Sequence, residues 1–327
     1  MRLSMSVLFC VVAVSSEDKC LRLNLAVGIG PAKSGSTAAA LLLMHHGQPH
    51  IEVGSAALGN KSCCGPELYH FFHEPDCDEF SRFFATPFHE QPRMWRFEKT
   101  PGYSSHTLTP FYLRTMSRNV KLLFTYTSPV LLDVSLYRHV KRTVPYAVWF
   151  DARRDAHERY LECRGDGYRP RDFSTEVELD KRCRQGQPRP WLVTTRPFKQ
   201  ILTGHSIRRW AHVFPRSDIM CISEKELYNS ARTILRINSF LGVSMSLAGK
   251  SRRGQHQYVT RGLPAVTSAE ADDQAKYDLE KYEEYARVIQ ATYTDSNRSE
   301  GMSIAQYANM IAKYDLPDEV ANVCYNR

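Results

Sequence analysis

Lys33, Ser34, Gly35, Ser36 and Thr37 set an ammonium group, three hydroxyls and a glycine side by side, a combination suited to gripping an anion. Leu21, Leu23, Leu25 and Val27 alternate before them, which predicts a strand. Gly28, Gly30 and Pro31 end it, and the apolar run at residues 38–44 predicts a helix. A loop between strand and helix aims backbone N–H groups and the positive end of the helix at one point. The chemistry expected there is phosphate binding. In the nucleoside-triphosphate loop, G-x-x-x-x-G-K-[ST], the lysine follows the last glycine. Here Lys33 precedes Gly35, an order that speaks against a kinase.

That order, P-x-K-S-G-S-T, is similar to the 5′-phosphosulfate loop of the sulfotransferases that use 3′-phosphoadenosine 5′-phosphosulfate (PAPS), with Ala32 interposed after Pro31. Three later segments extend the resemblance. FEKTPGY at residues 97–103 resembles the E-K-T-P-x-Y segment of the heparan sulfate and related Golgi sulfotransferases. KLLFTYTSPVLLDVSLY at residues 121–137 resembles their second cofactor strand. Residues 210–243, with Phe214-Pro215, Glu226-Leu227 and Phe240-Leu241-Gly242-Val243, resemble their late helix, strand and helix end. The segments occur in the family's order between residues 21 and 254. The resemblance implies one α/β domain over residues 20–320, with a P-loop-like central parallel sheet flanked by helices: the sulfotransferase fold.

Sulfuryl transfer needs cations on the developing charge and a base for the acceptor's proton. The resemblance assigns Lys33 to the leaving phosphate. The backbone of Ser34, Gly35, Ser36 and Thr37 takes the 5′-phosphate, assisted by the hydroxyls of Ser36 and Thr37. Lys99, in the E-K-T-P segment, brings a second cation to the sulfuryl oxygens or the acceptor. The base is either Glu67, one position further from the histidine than in the family pattern, or His70 in His70-Phe71-Phe72. The family's arginine for the 3′-phosphate is replaced by Thr127 and the following aspartate by Ser128, while Pro129, Ser135 and Tyr137 keep their places. This implies weakened PAPS binding, because a charge-assisted contact is missing. Lys250, Ser251, Arg252, Arg253 and Gly254 resemble the family's loop that closes over the 3′-phosphate and adenine.

Residues 3–14, apolar or small after Arg2 and followed by a polar exit, read as a secretory signal peptide over residues 1–16. The run is shorter than a bilayer span, so membrane association is expected only if it stays uncleaved. Two sequons, at Asn60 and Asn297, suit a lumenal chain, Golgi or secreted. Nine cysteines are compatible with an oxidising compartment. Cys163–Cys183 is the one pairing expected, closing a loop of about 20 residues for about 3 kcal/mol; Cys63 and Cys64 are candidates to staple Cys77. Paired metal-ligand spacings are missing, and no metal is expected.

The 327 residues, 43% hydrophobic, suffice for one large α/β core or two small ones. Helical spacing at residues 201–214, 224–241 and 269–293 alternates with the strands, as a parallel sheet requires. Residues 151–190, rich in charge, Arg, Gly and Pro, read as an irregular insertion. The excess of 43 Lys and Arg over 35 Asp and Glu suits an anionic cofactor and a glycan acceptor; no nucleic-acid motif accompanies it. Two alternatives stand beside a PAPS-dependent glycan sulfotransferase. One is a weak or inactive chain that binds the product nucleotide (PAP) or a polyanionic glycan. The other is a small-molecule sulfotransferase.

Overall fold

The computed structural model describes residues 20–46, 49–54, 68, 70–127, 132–133, 135–136, 155, 158–165, 172–184, 203–228, 230–243 and 323–324. Five strands form one sheet: β1 (Asn24–Gly28), β2 (Ile51–Val53), β3 (Trp95–Lys99), β4 (Asn119–Tyr126) and β5 (Ile219–Ser223). Their order is β2-β3-β1-β4-β5, and every pairing is parallel. The expected central parallel α/β sheet is therefore present. β1 lies between β3 and β4, so the chain leaves it to one side for β2 and β3 and crosses to the other for β4 and β5. Such a reversal opens a crevice at the carboxyl ends of the strands, where α/β sheets bind ligands.

β1 departs from the alternation that Leu21, Leu23, Leu25 and Val27 predict. Residues 20–21 are helical and the strand begins at Asn24. Leu25 and Val27 face one core cluster and Ala26 the other, all fully buried. A central strand in a parallel sheet is covered on both faces, so polarity does not alternate along it.

Helices cover both faces. α1 (Ser36–His46) contributes Ala40 and Leu43 to one face. A short helix, α2 (Cys77–Ser81), and α3 (Thr109–Met116) supply Phe80, Leu113 and Met116 to the other. α4 (Phe173–Arg184) lies further along the chain, and α5 (Thr203–Val213) adds Ile207 and Trp210 to that second face. α6 (Glu224–Tyr228) follows β5, and α7 (Ser230–Leu241) returns to the α1 face with Ile234, Ile237 and Leu241. The helical spacing read over residues 224–241 is thus two helices. Ser223 and Glu226 form a reciprocal cap at the start of α6: each backbone N–H donates to the other's side chain, at 2.9 and 3.2 Å.

The insertion at residues 151–190 is not irregular throughout. Residues 158–164 are helical, and α4 follows. Arg164 and Glu176, both buried, form a two-pronged ion pair at 2.8 and 3.0 Å. The expected Cys163–Cys183 disulfide closes beside it. Cys77 bonds Cys20 instead of Cys63 or Cys64, and a third bridge, Cys221–Cys324, ties β5 to the C-terminal segment. The signal peptide, both sequons and the helix read at residues 269–293 lie outside the described residues.

Candidate active site

The loop from β1 to α1 lies at the carboxyl end of the central strand and is built against β4. The Ser34 hydroxyl, fully buried, donates to the Pro31 carbonyl at 2.7 Å and shares a 2.8 Å hydrogen bond with Thr125 Oγ1. Gly30 makes this approach possible: a Cβ there would lie 1.9 Å from Thr125 Oγ1 and 2.5 Å from the Thr125 carbonyl oxygen. Gly35 has φ +87°, and a Cβ there would meet Leu227 of α6 at 2.4 Å. Its carbonyl takes the first helical hydrogen bond, from Ala39 N–H at 3.0 Å.

Lys33 is exposed and has φ 69°, the one left-handed non-glycine among the described residues. A residue with a Cβ avoids that conformation, and such strain gathers at ligand clamps. Lys33 and Gly35 are both left-handed, with Ser34 between them, and left-handed residues in a loop are a feature of anion-binding turns. The first turn of α1 carries no acidic residue to neutralise its positive end. Ser36 is buried and Thr37 half-buried.

Lys99, fully buried at the end of β3, reaches this turn. Its Nζ donates to Thr37 Oγ1 at 2.9 Å. The register pairs Gly28 with Lys99, so the lysine leaves the strand beside the start of the loop. Lys33, Ser34, Gly35, Ser36, Thr37 and Lys99 are therefore one assembly.

Glu98 points to the opposite face of β3. Its Oε1 accepts from the Tyr103 hydroxyl and, at 3.4 Å, from Thr100. Burial, and then the Glu98 carboxylate, push the Tyr103 pKa well above its ordinary value. His70 lies on this side, in a turn at His70–Phe72. Its ring packs against Phe71, Phe80 and Phe83 at 5.1 to 6.0 Å. Nδ1 is 3.9 Å from Glu79 Oε2, while Nε2 is buried without a hydrogen-bond partner. Burial pushes the His70 pKa down, against the opposing pull of Glu79 and Asp76.

Thr127 follows β4 directly and is half-buried, as is Ser135 in a helical stretch beyond it. Glu67, Lys250, Ser251, Arg252, Arg253 and Gly254 lie outside the described residues. Thr125 and Tyr103 carry site geometry that sequence reading missed. The signals were present: Thr125 is a hydroxyl at the end of an apolar strand, and Tyr103 closes the E-K-T-P-x-Y segment. Among the described residues, no cluster of His, Cys, Asp and Glu is placed to hold a metal ion.

No protein-family model and no curated protein matches this sequence. Solved structures similar to it include two sulfotransferases. One is a sulfotransferase from Alicyclobacillus acidocaldarius, 18% identical, with a TM-score of 0.42 over 68% of this chain and 81% of that one. The other is the sulfotransferase domain of the olefin synthase from Synechococcus PCC 7002, 12% identical, with a TM-score of 0.38 over 78% and 94%. Overlaps this loose do not decide the chemistry, which rests on the residues.

Proposed function

We propose that this chain is a sulfotransferase that moves a sulfuryl group from PAPS to a hydroxyl or amine, with a glycan of the secretory pathway as the acceptor. The observation that carries the reading is two lysines at one strand-to-helix loop, one within it and one reaching it from the end of β3. Lys33 stands in the loop in a left-handed conformation, and Lys99 is tied to its helical end through Thr37. PAPS, when bound, supplies a sulfuryl group already attached to a phosphate that can leave. The N–H groups of residues 35–37 and the positive end of α1 would hold that phosphate, the Ser34 N–H being turned to the Pro31 carbonyl at 3.3 Å. Lys33 would neutralise the charge it acquires, and Lys99 would set a second positive charge against the sulfuryl oxygens.

The acceptor's proton would pass to Glu67 or to the imidazole of His70. Burial keeps His70 in the neutral form a base requires. The residues fit the 5′ end of the donor better than its 3′ end, since Thr127 offers a hydroxyl where the family carries a guanidinium. The loop at residues 250–254 is the proposed compensation. Three disulfides and the N-terminal apolar run support a lumenal or secreted chain. No helix among the described residues is long and apolar enough to cross a membrane.

Thr127 also favours a second reading, a chain that binds PAP or a sulfated glycan with little turnover. Release of PAP from PAPS, measured with and without a panel of desulfated glycans, separates the two. Acceptor-dependent release supports the enzyme. Binding of PAP without release supports the second reading, and neither binding nor release defeats the enzyme and the PAP-binding chain alike.

A further inference from the structure

We propose that Tyr103 is a positioning residue for the acceptor half of the site: its hydroxyl, anchored on Glu98, fixes the His70–Phe72 turn against the end of β3. The inference rests on the sulfotransferase reading and extends it to the face away from the loop. A three-residue turn has too few internal hydrogen bonds to hold its own shape. Here both backbone polar groups of its central residue are taken by side chains of other segments. Phe71 N–H donates to the Tyr103 hydroxyl oxygen at 3.0 Å. The Thr109 hydroxyl donates to the Phe71 carbonyl at 2.8 Å, and Thr109 Oγ1 lies 2.9 Å from His106 Nδ1.

Tyr103 is fully buried and keeps its proton. Its hydroxyl therefore gives that proton to Glu98 while a lone pair receives Phe71 N–H. The ring adds edge contacts to Phe71 and Phe72 at 5.8 and 5.1 Å. Packing alone needs only the ring; the doubly used hydroxyl fixes direction as well. Glu98 adjoins Lys99 in β3, so one strand end sets both the lysine on the loop side and the turn that carries His70.

The test is Tyr103→Phe, which keeps the ring and removes the hydroxyl, assayed by PAP release from PAPS with a glycan acceptor and by calorimetric titration with PAP. A misplaced catalytic segment lowers kcat by about ten- to a hundredfold, while PAP affinity and the KM for PAPS stay at wild-type values. Unchanged kcat overturns the inference, and so does an equal loss of kcat and PAP affinity, which marks general damage. If Tyr103→Phe does not fold, Thr109→Val frees the other side of the turn and must give the same split. Amide exchange at Phe71 should quicken in Tyr103→Phe while α1 is unaffected; unaltered exchange also overturns it. A wild-type chain that releases no PAP defeats the sulfotransferase reading instead, a separate outcome.

Discussion

Lys99 and Glu98 are neighbours in one strand and serve opposite faces of the sheet. On the Lys99 face the site is made of backbone and short polar groups: a left-handed lysine, two close-packed glycines, and Ser34 latched to Thr125. On the Glu98 face it is made of rings. His70, Phe71, Phe72, Phe80, Phe83 and Tyr103 pack at edges and tilts, and the Tyr103 hydroxyl ties this cluster to the Glu98 carboxylate. The first face presents N–H groups and charge, as an anionic leaving group requires. The second excludes water and fixes directions, which suits a proton acceptor. The proposed transfer needs both, and one strand end borders each face.

The largest expected effect falls on the loop face. Lys33→Ala should lower turnover by about a thousandfold, the upper end of what one group aimed at developing charge contributes. Full activity in that variant would remove the lysine from the mechanism. Lys99→Ala should cost about a hundredfold in kcat, read by the same PAP-release assay. A larger loss than for Lys33→Ala would invert the ranking of the two cations.

Thr127→Arg sharpens the same face. A restored guanidinium should tighten PAP binding by about tenfold, in keeping with one charge-assisted contact, and leave the affinity for adenosine 5′-phosphosulfate unchanged. Equal tightening of both nucleotides would mean that the arginine acts through net charge alone.

The smallest effect belongs to the ring face and is read as stability against pH. His70 in the folded chain has a pKa below its ordinary 6.5 because burial disfavours the imidazolium. Above that value both states carry the neutral ring. As pH falls below it the unfolded chain takes the proton first, and stability is lost until the folded ring is protonated too. His70→Leu removes this loss, so its Tm relative to wild type should rise between about pH 7 and about pH 5. A constant difference would mean that the ring is solvated in the folded chain.

The two faces also differ in how far the sequence disclosed them. The loop face was legible because glycines, proline and lysine in a fixed order are local constraints, and Lys33 to Thr37 come together without a long-range partner. The segments around Lys99 and Thr127 were legible through their resemblance to the E-K-T-P-x-Y segment and the second cofactor strand of the sulfotransferases. Ser34–Thr125 was not, since it joins residues far apart and depends on the absence of a Cβ at Gly30. The ring face depends on contacts among His70, Tyr103 and Phe80, which no periodicity encodes. α4 escaped notice for a different reason. Its buried stripe is Glu176, Leu179 and Cys183, an ion-paired acid, a leucine and a half-cystine, so an apolar period is nearly lacking. Cys20–Cys77 and Cys221–Cys324 were beyond reach because cysteine count alone leaves pairing open.

The most direct measurement is calorimetric titration of the purified chain with PAP, compared with adenosine 5′-phosphosulfate and repeated on Gly30→Ala, whose Cβ would displace the loop from Thr125. Saturable binding of PAP at one site, lost in Gly30→Ala, is the predicted result. No heat with either nucleotide would contradict the account, and the loop would then be a structural turn with no phosphosulfate to hold.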